Sequence, residues 1–310
     1  MSVILSVEHL HKQFDGIKAV NDLSFTVNEG DVYGFLGQNG AGKSTTIRMM
    51  LTLISPDAGD ISIFGKDLQQ HRNEVLQQTG AIIERPDMYK YLSALENLSI
   101  FARLSGIKLS KKELMLQLER VGLAERAGSK VKTFSQGMKQ RLGIAIALVH
   151  DPKLIILDEP TNGLDPQGIA EMRKLIINLS REHGKTVIVS SHLLSEIEMM
   201  ATRMIVIDKG RKIAEGSVQE MLDPASTIVQ IETTDNGRTW QLLASSEWAS
   251  GLENSTPAIR LRMDKSRIPQ LASWLISQNI SLIALQPKHS LEEYFLSLTN
   301  PDNHVEPVSN

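Results

Sequence analysis

The stretch Gly37-Gln38-Asn39-Gly40-Ala41-Gly42-Lys43-Ser44-Thr45 constrains this chain more than any other part of it. It fits the pattern G-x-x-x-x-G-K-S/T and lies between an apolar run, Val32-Tyr33-Gly34-Phe35-Leu36, and a helical run from Lys43 to Leu53. Strand, loop and helix in that order are the setting in which such a loop cradles phosphates. Glycines let the backbone turn inward, so that the N–H groups from Gly37 through Asn39, Gly40, Ala41 and Gly42 can point at an anion. The helix opening near Lys43 adds the positive end of its dipole. Lys43 is placed to reach the β- and γ-phosphates, and the Ser44 hydroxyl, followed by Thr45, is placed to bind Mg²⁺. A Gly-rich turn before an ordinary helix is the plain alternative. The spacing favours a nucleoside triphosphate site.

With 310 residues the chain has room for one large domain and a smaller one. Its 41% hydrophobic and 22% charged residues are those of a soluble globular protein. A net charge of −3 and a pI near 6.3 give no reason to expect nucleic acid as a partner. Apolar runs such as Ile144 to Val149 and Leu154 to Leu157 are far too short to span a bilayer. The opening Met1-Ser2-Val3-Ile4-Leu5 soon meets Glu8, His9 and Lys12, which does not read as a secretion signal. The absence of cysteine excludes disulfides and fits a reducing compartment, and the eight histidines stand outside metal-ligand spacing. A cytoplasmic protein, at most peripheral on the inner face of the membrane, is expected.

Short β-type runs at Val3–Val7, Leu23–Val27 and Val32–Leu36 precede the loop, and Ile61–Phe64 follows its helix. From Ala94 to about Val121 apolar residues recur every three or four positions, which predicts helix. Two buried-looking strands, Leu154–Leu157 and Thr186–Ser190, flank a helix carrying Met172, Leu175, Ile176 and Leu179. A last pair, Met204–Asp208 and Lys212–Ala214, turns at Lys209-Gly210-Arg211. Strands alternating with helices imply a mainly parallel sheet. The expected fold class is α/β, with an N-terminal antiparallel part and a helical insertion at about 87–133, over residues 1–222. A small α+β domain should follow over 226–300, with strands at Ile228–Thr233, Ala258–Met263 and Ile280–Leu285. Helices are expected around Ile268, Leu271 and Leu275 and at Leu291–Leu298, and a flexible tail over 301–310.

Leu154-Ile155-Ile156-Leu157-Asp158-Glu159 reads as an apolar strand ending in two carboxylates, at the sheet edge where α/β folds bind ligands. Asp158 is placed to help hold Mg²⁺, and Glu159 to orient and deprotonate an attacking water. Two acids after a strand are otherwise a solvated turn. Ser135 is a good N-cap for the helical run from Leu142 to Val149, with Gly137 allowing close backbone approach. An ordinary helix cap is the plain alternative.

The order of these motifs, with Asn162-Gly163-Leu164-Asp165 and His192 after them, resembles the ATP-binding cassette (ABC) transporter family over roughly residues 3–222. The resemblance implies an ABC-type ATPase with ATP and Mg²⁺. It further implies a head-to-tail dimer in which Ser135 and Gly137 of one subunit cap the γ-phosphate held by the other. Asp165 then matches the family's dimer-contact loop, His192 its γ-phosphate switch and Phe14 its adenine-stacking aromatic. A core Phe and a structural His are the alternatives. Where most members carry Gln, this chain has Glu84, in Ala81-Ile82-Ile83-Glu84-Arg85-Pro86; a carboxylate still offers oxygen to Mg²⁺. Such a Glu, and Met138 in Gly-Met-Lys-Gln-Arg, are similar to the branch that exports or gives immunity to lantibiotics and bacitracin-like peptides. A solvent-facing Glu84 is the alternative. The expected function is an ATPase subunit driving a separate membrane permease, docked through residues 87–133 beside Glu84. General drug, lipid or ion export, and a soluble cassette ATPase acting on ribosomes or DNA, stand as competitors. The chain's single cassette, without sustained heptads or a basic stripe, argues against the last.

Overall fold

The structure, a computed structural model, describes residues 2–83, 87–221, 227–253 and 258–288. The chain divides into two compact units, Met1–Ser217 and Val218–Asn310. The first begins with β1 (Val3–Phe14), β2 (Ile17–Asn28) and β3 (Val32–Leu36), then α1 (Lys43–Met50), β4 (Ala58–Ile63) and β5 (Lys66–Asp67). It continues through α2 (Arg72–Leu76), β6 (Thr79–Ile82), α3 (Ala94–Leu104), α4 (Lys111–Arg120) and α5 (Gln136–Ala147). It closes with β7 (Leu154–Leu157), α6 (Pro166–Arg181), β8 (Thr186–Ser191), α7 (Leu194–Glu198), β9 (Arg203–Asp208) and β10 (Arg211–Ser217).

Among the described residues these strands make two sheets, in the orders β2-β1-β4-β5 and β10-β9-β3-β8-β7-β6. The first is antiparallel throughout. The second is parallel except for its edge strand β10. Every residue of β3, β7 and β8 is buried, as expected for parallel strands covered on both faces. Phe25 of β2 packs on Tyr33 and Phe35 of β3, with ring centroids 5.8 and 5.4 Å away, and so joins the two sheets in one core.

A polar clip reinforces that join. The fully buried Tyr33 donates its hydroxyl to Glu215 Oε1 at 2.8 Å. Arg203 stands 3.6 Å from Glu215 and 3.7 Å from Asp31, and donates to the Thr26 carbonyl at 3.2 Å. Burial, then the neighbouring Glu215 charge, hold the Tyr33 hydroxyl well above its ordinary pKa.

The helical pattern from Ala94 to Val121 resolves into two helices, α3 and α4. Gly106, at φ +77°, ends the first, and a reciprocal Ser110–Glu113 capping box starts the second. β1 and β2 run several residues past the expected strands, because they pair with each other to the ends of a hairpin whose outer half is only partly buried.

The second unit starts with α8 (Val218–Met221) and continues as β11 (Thr227–Thr233), α9 (Asn236–Ala244), β12 (Leu252–Glu253), β13 (Ile259–Met263), α10 (Ile268–Ser277) and β14 (Leu282–Lys288). The sheet is antiparallel in the order β12-β13-β11-β14. From β11 onward the order β-α-β-β-α-β is a split βαβ arrangement. Its core gathers Val229, Ile231, Leu261, Leu243, Leu271 and Leu275. Sequence periodicity did not reveal α9. Its first turn carries Gly237, and it forms because Asp235 caps the Arg238 N–H while Leu243 is drawn into the core. The expected helix at Leu291–Leu298 and the tail 301–310 lie outside the described residues.

Tyr33→Phe should cost about 1–3 kcal/mol in urea unfolding, because Glu215 loses a buried donor. The raised pKa also gives a sign with pH. The unfolded tyrosine releases its proton near the ordinary value of 10.0 while the folded one holds it, so wild-type stability falls as pH rises past that value. The Phe variant should show a shallower fall over the same range.

Candidate active site

The adjacent parallel strands β3, β8 and β7 end on the same sheet edge, and each delivers one part of the site. β3 runs into the phosphate loop. There Gly42, at φ +104°, packs so tightly that an added Cβ would meet the Ala19 carbonyl at 2.5 Å. Gly42 is also the N-cap of α1 and supplies no side chain, so the leading N–H groups of α1 have no side-chain cap of their own. That leaves an anion-binding helix terminus.

β7 delivers Asp158 and Glu159, and β8 delivers Ser190, Ser191 and then His192. Asp158 is buried and accepts from Ser190 Oγ at 2.6 Å. Glu159 adopts φ +48°, a backbone region that costs a non-glycine residue about 1–3 kcal/mol and needs support from its surroundings. The Ser190 hydroxyl provides it, accepting the Glu159 N–H at 2.8 Å. Glu159 Oε2 lies 2.8 Å from His192 Nδ1. Glu159 Oε1 lies 3.2 Å from Lys43 Nζ, within ion-pair distance, yet this buried oxygen accepts no hydrogen bond. Lys43, itself only 5% exposed, donates to the carbonyls of Gly37 at 2.6 Å and Gln38 at 3.3 Å. A buried ammonium, a carboxylate with an unused acceptor and an imidazole thus share one place. A cleft of about 470 Å³ opens on the Glu159 side of this group, lined by Ser44, Gln136, Gln140, Asp158, Glu159, Asn162 and Gly163.

The remaining candidates sit as follows. Asp165 is the N-cap of α6 and accepts the Gly168 N–H at 2.8 Å. Ser135 is the N-cap of α5 and accepts the Met138 N–H at 3.3 Å. Ser135 and Gly137 flank Gln136, which does line the cleft, but neither lines it. Phe14 ends β1, partly exposed, with the Lys12 ammonium 5.4 Å from its ring centroid. No described contact joins Phe14, Ser135, Gly137 or Asp165 to the Lys43–Glu159–His192 group. Gly37, Asn39, Gly40, Ala41 and Thr45 lie in the phosphate loop or the first turn of α1. Glu84 lies outside the described residues.

Sequence reading did not single out Ser190, Gln136 or Gln140. Ser190 is the penultimate residue of β8, after the apolar run Val187–Val189, and the glutamines sit on the face of α5 that faces the cleft. A hydroxyl at the end of a buried strand was the available signal for Ser190.

Residues 20–162 match the family model described as ABC transporter. The chain is 40% identical over 300 residues to the bacitracin transport ATP-binding protein BcrA of Bacillus licheniformis, spanning 96% of this chain and 98% of that protein. It is 41% identical to the lantibiotic transport ATP-binding protein SrtF of Streptococcus pyogenes over 68% of this chain and 90% of that one. Among solved structures, an ATP-binding cassette of an ABC transporter in its ADP conformation superposes with a TM-score of 0.65 at 26% identity, over 71% of this chain and 93% of its own. Likeness that runs nearly end to end, over a site whose phosphate loop, paired carboxylates and histidine meet on one sheet edge, makes this chain a member of the ABC transporter family and, within it, an ATP-binding subunit with ATPase activity.

Proposed function

We propose that this subunit hydrolyses ATP to drive a separate membrane permease that exports, or gives immunity to, a peptide antibiotic of the bacitracin or lantibiotic kind. The observation that carries the hydrolytic part is the unused, buried Oε1 of Glu159 beside Lys43. Because Glu159 lines the cleft, that oxygen is placed to accept a hydrogen bond from a water held against it and then its proton. Lys43 stations a positive charge beside it for the terminal phosphate. His192, with Nδ1 engaged by Glu159, keeps its other ring nitrogen for the same phosphate. Ser44 and Asp158 line the cleft together and offer two hard oxygens to Mg²⁺. Among the described residues no group of three or more His, Cys, Asp or Glu could hold a metal alone. Ser44 and Asp158 would be the residues that hold Mg²⁺, and the ion, when bound, would neutralise charge on the transferred phosphoryl group.

The cargo reading is supported by the two relatives whose names state bacitracin and lantibiotic transport. Among the described residues no helix is long and apolar enough to cross a membrane, so the reading assigns passage across the bilayer to another chain, with this one at its cytoplasmic face. Ser135 and Gly137, at the N-terminus of the 12-residue α5, are proposed to face the ATP of a second subunit in a head-to-tail dimer, and Asp165 to contact that subunit. Phe14 is proposed to stack on adenine.

Glu159→Gln should keep ATP affinity within a few-fold, since Lys43, Ser44 and the loop amides remain, while turnover falls by about 10²–10⁴. Turnover at the wild-type rate would remove Glu159 as the base. Mixing inactive Lys43→Ala with inactive Ser135→Arg should restore one working site per mixed dimer. If mixed dimers form and stay inactive, the shared-site arrangement is wrong. For the cargo, deleting the gene should raise sensitivity to bacitracin or lantibiotics in a panel of antimicrobial peptides. An unchanged profile would count against the peptide branch.

A further inference from the structure

The segment leaving β7 and the segment leaving β8 are tied together at more points than the reacting groups need. Ser190 holds Asp158 and the Glu159 N–H, and His192 meets the Glu159 carboxylate. A further tie touches none of the groups assigned to chemistry. Glu196 Oε2 accepts the Thr161 hydroxyl at 2.6 Å and the Ser191 hydroxyl at 3.0 Å. All three residues are buried, Glu196 to 5% exposure, Thr161 to 5% and Ser191 to 0%. A carboxylate this deep persists only where donors replace its hydration, and here both donors reach the same oxygen from different loops.

The two loops are the ones that the proposed reaction must coordinate. Thr161 opens the turn that ends at Asp165, and that turn is closed by the Asn162 N–H on the Glu159 carbonyl at 3.1 Å and the Leu164 N–H on the Thr161 carbonyl at 3.1 Å. Ser191 directly precedes His192, and its Oγ also accepts the Leu193 N–H at 3.0 Å. Hydrogen bonds therefore run without a break from the Asp165 turn to Thr161 and through one carboxylate oxygen to Ser191, the neighbour of His192.

We propose that Glu196 is a positioning residue for hydrolysis, which clamps the Thr161–Asp165 turn to the His192 turn so that the two move as one body. This rests on the reading of the cleft as a hydrolytic ATP site shared across a dimer. The link needs an acceptor oxygen rather than a charge. An amide carbonyl can accept the same two hydroxyls, whereas a methyl group cannot.

The test compares Glu196→Ala, Glu196→Gln, Thr161→Val and the Ala/Val double variant of the full chain, by steady-state ATP turnover and by hydrogen exchange of the free protein. Glu196→Ala and Thr161→Val should each lower kcat by about tenfold to hundredfold, the scale of a small misplacement in a preorganised site, with KM for ATP nearly unchanged. The double variant should be no worse than the more severe single one, because both remove the same link. Glu196→Gln should retain most of the wild-type kcat. Exchange at 161–165 should speed up in Glu196→Ala, far along the chain from the altered residue. The proposal falls if folded Glu196→Ala turns over at the wild-type rate, if the two single effects multiply, if Gln is as poor as Ala, or if faster exchange is confined to 194–198. Should Glu196→Ala fail to fold, Thr161→Val decides, and wild-type kcat with wild-type exchange at 190–196 overturns the clamp. A wild-type chain with no turnover that Glu159→Gln abolishes would instead sink the hydrolytic reading, and the exchange comparison would still judge the clamp.

Discussion

Complete burial of β3, β7 and β8 is the constraint from which the rest of the first unit follows. A strand covered on both faces has no room for an unpaired charge along its length, so polar chemistry is confined to its ends. Because the three strands are neighbours and parallel, those ends coincide. The phosphate loop, the Asp158–Glu159 pair and His192 are brought together by register alone, without long side chains reaching across the molecule. The two serines that end β8 both hydrogen-bond sideways to neighbouring carboxylates, Ser190 to Asp158 and Ser191 to Glu196.

The resulting site is under tension in two respects. Glu159 is held in a left-handed backbone conformation by the Ser190 hydroxyl on its N–H and the Asn162 N–H on its carbonyl, and one of its carboxylate oxygens is buried without a hydrogen bond. Lys43 stands close enough to balance the charge but donates to loop carbonyls instead. Such incompletely satisfied groups destabilise a fold unless its surroundings hold them rigidly. The surroundings here do so, through the buried sheet on one side and the hydroxyl–carboxylate ties between 158–161 and 190–196 on the other. Reactivity and rigidity are supplied by different residues, which is why several of the supporting ones carry no chemical role of their own.

The chemistry and the cargo rest on different kinds of support. Geometry argues for attack on a phosphoryl group, since positive charge, an anion-binding helix terminus and a proton acceptor meet at one place. Nothing in the cleft distinguishes one transported molecule from another, because an ATPase subunit need not touch what is moved. Cargo is carried by likeness to proteins named for bacitracin and lantibiotic transport. The second unit, a split βαβ sheet with its own core, has no polar cluster comparable to Lys43–Glu159–His192 among its described residues.

Much of this was legible in the residues because it is local. The phosphate loop declares its strand, turn and helix within a dozen positions, and Leu154–Leu157 is bounded by the same residues in sequence pattern and in structure. Where local pattern was ambiguous it misled. Periodicity stopped short of the true ends of β1 and β2 and passed over α9. The sequence by itself determined the elements, their alternation and the types of chemical group at the strand ends, since these depend on backbone propensity and on apolar periods read over a few residues. Only the tertiary structure decided that Ser190 supports the strained Glu159, that Lys43 and His192 meet the same carboxylate, and that Glu196 bridges Thr161 to Ser191. Apart from the local Ser191–Glu196 bond, those contacts join residues far apart in the chain, and sheet register and burial, which no short window of sequence contains, bring them within hydrogen-bonding distance.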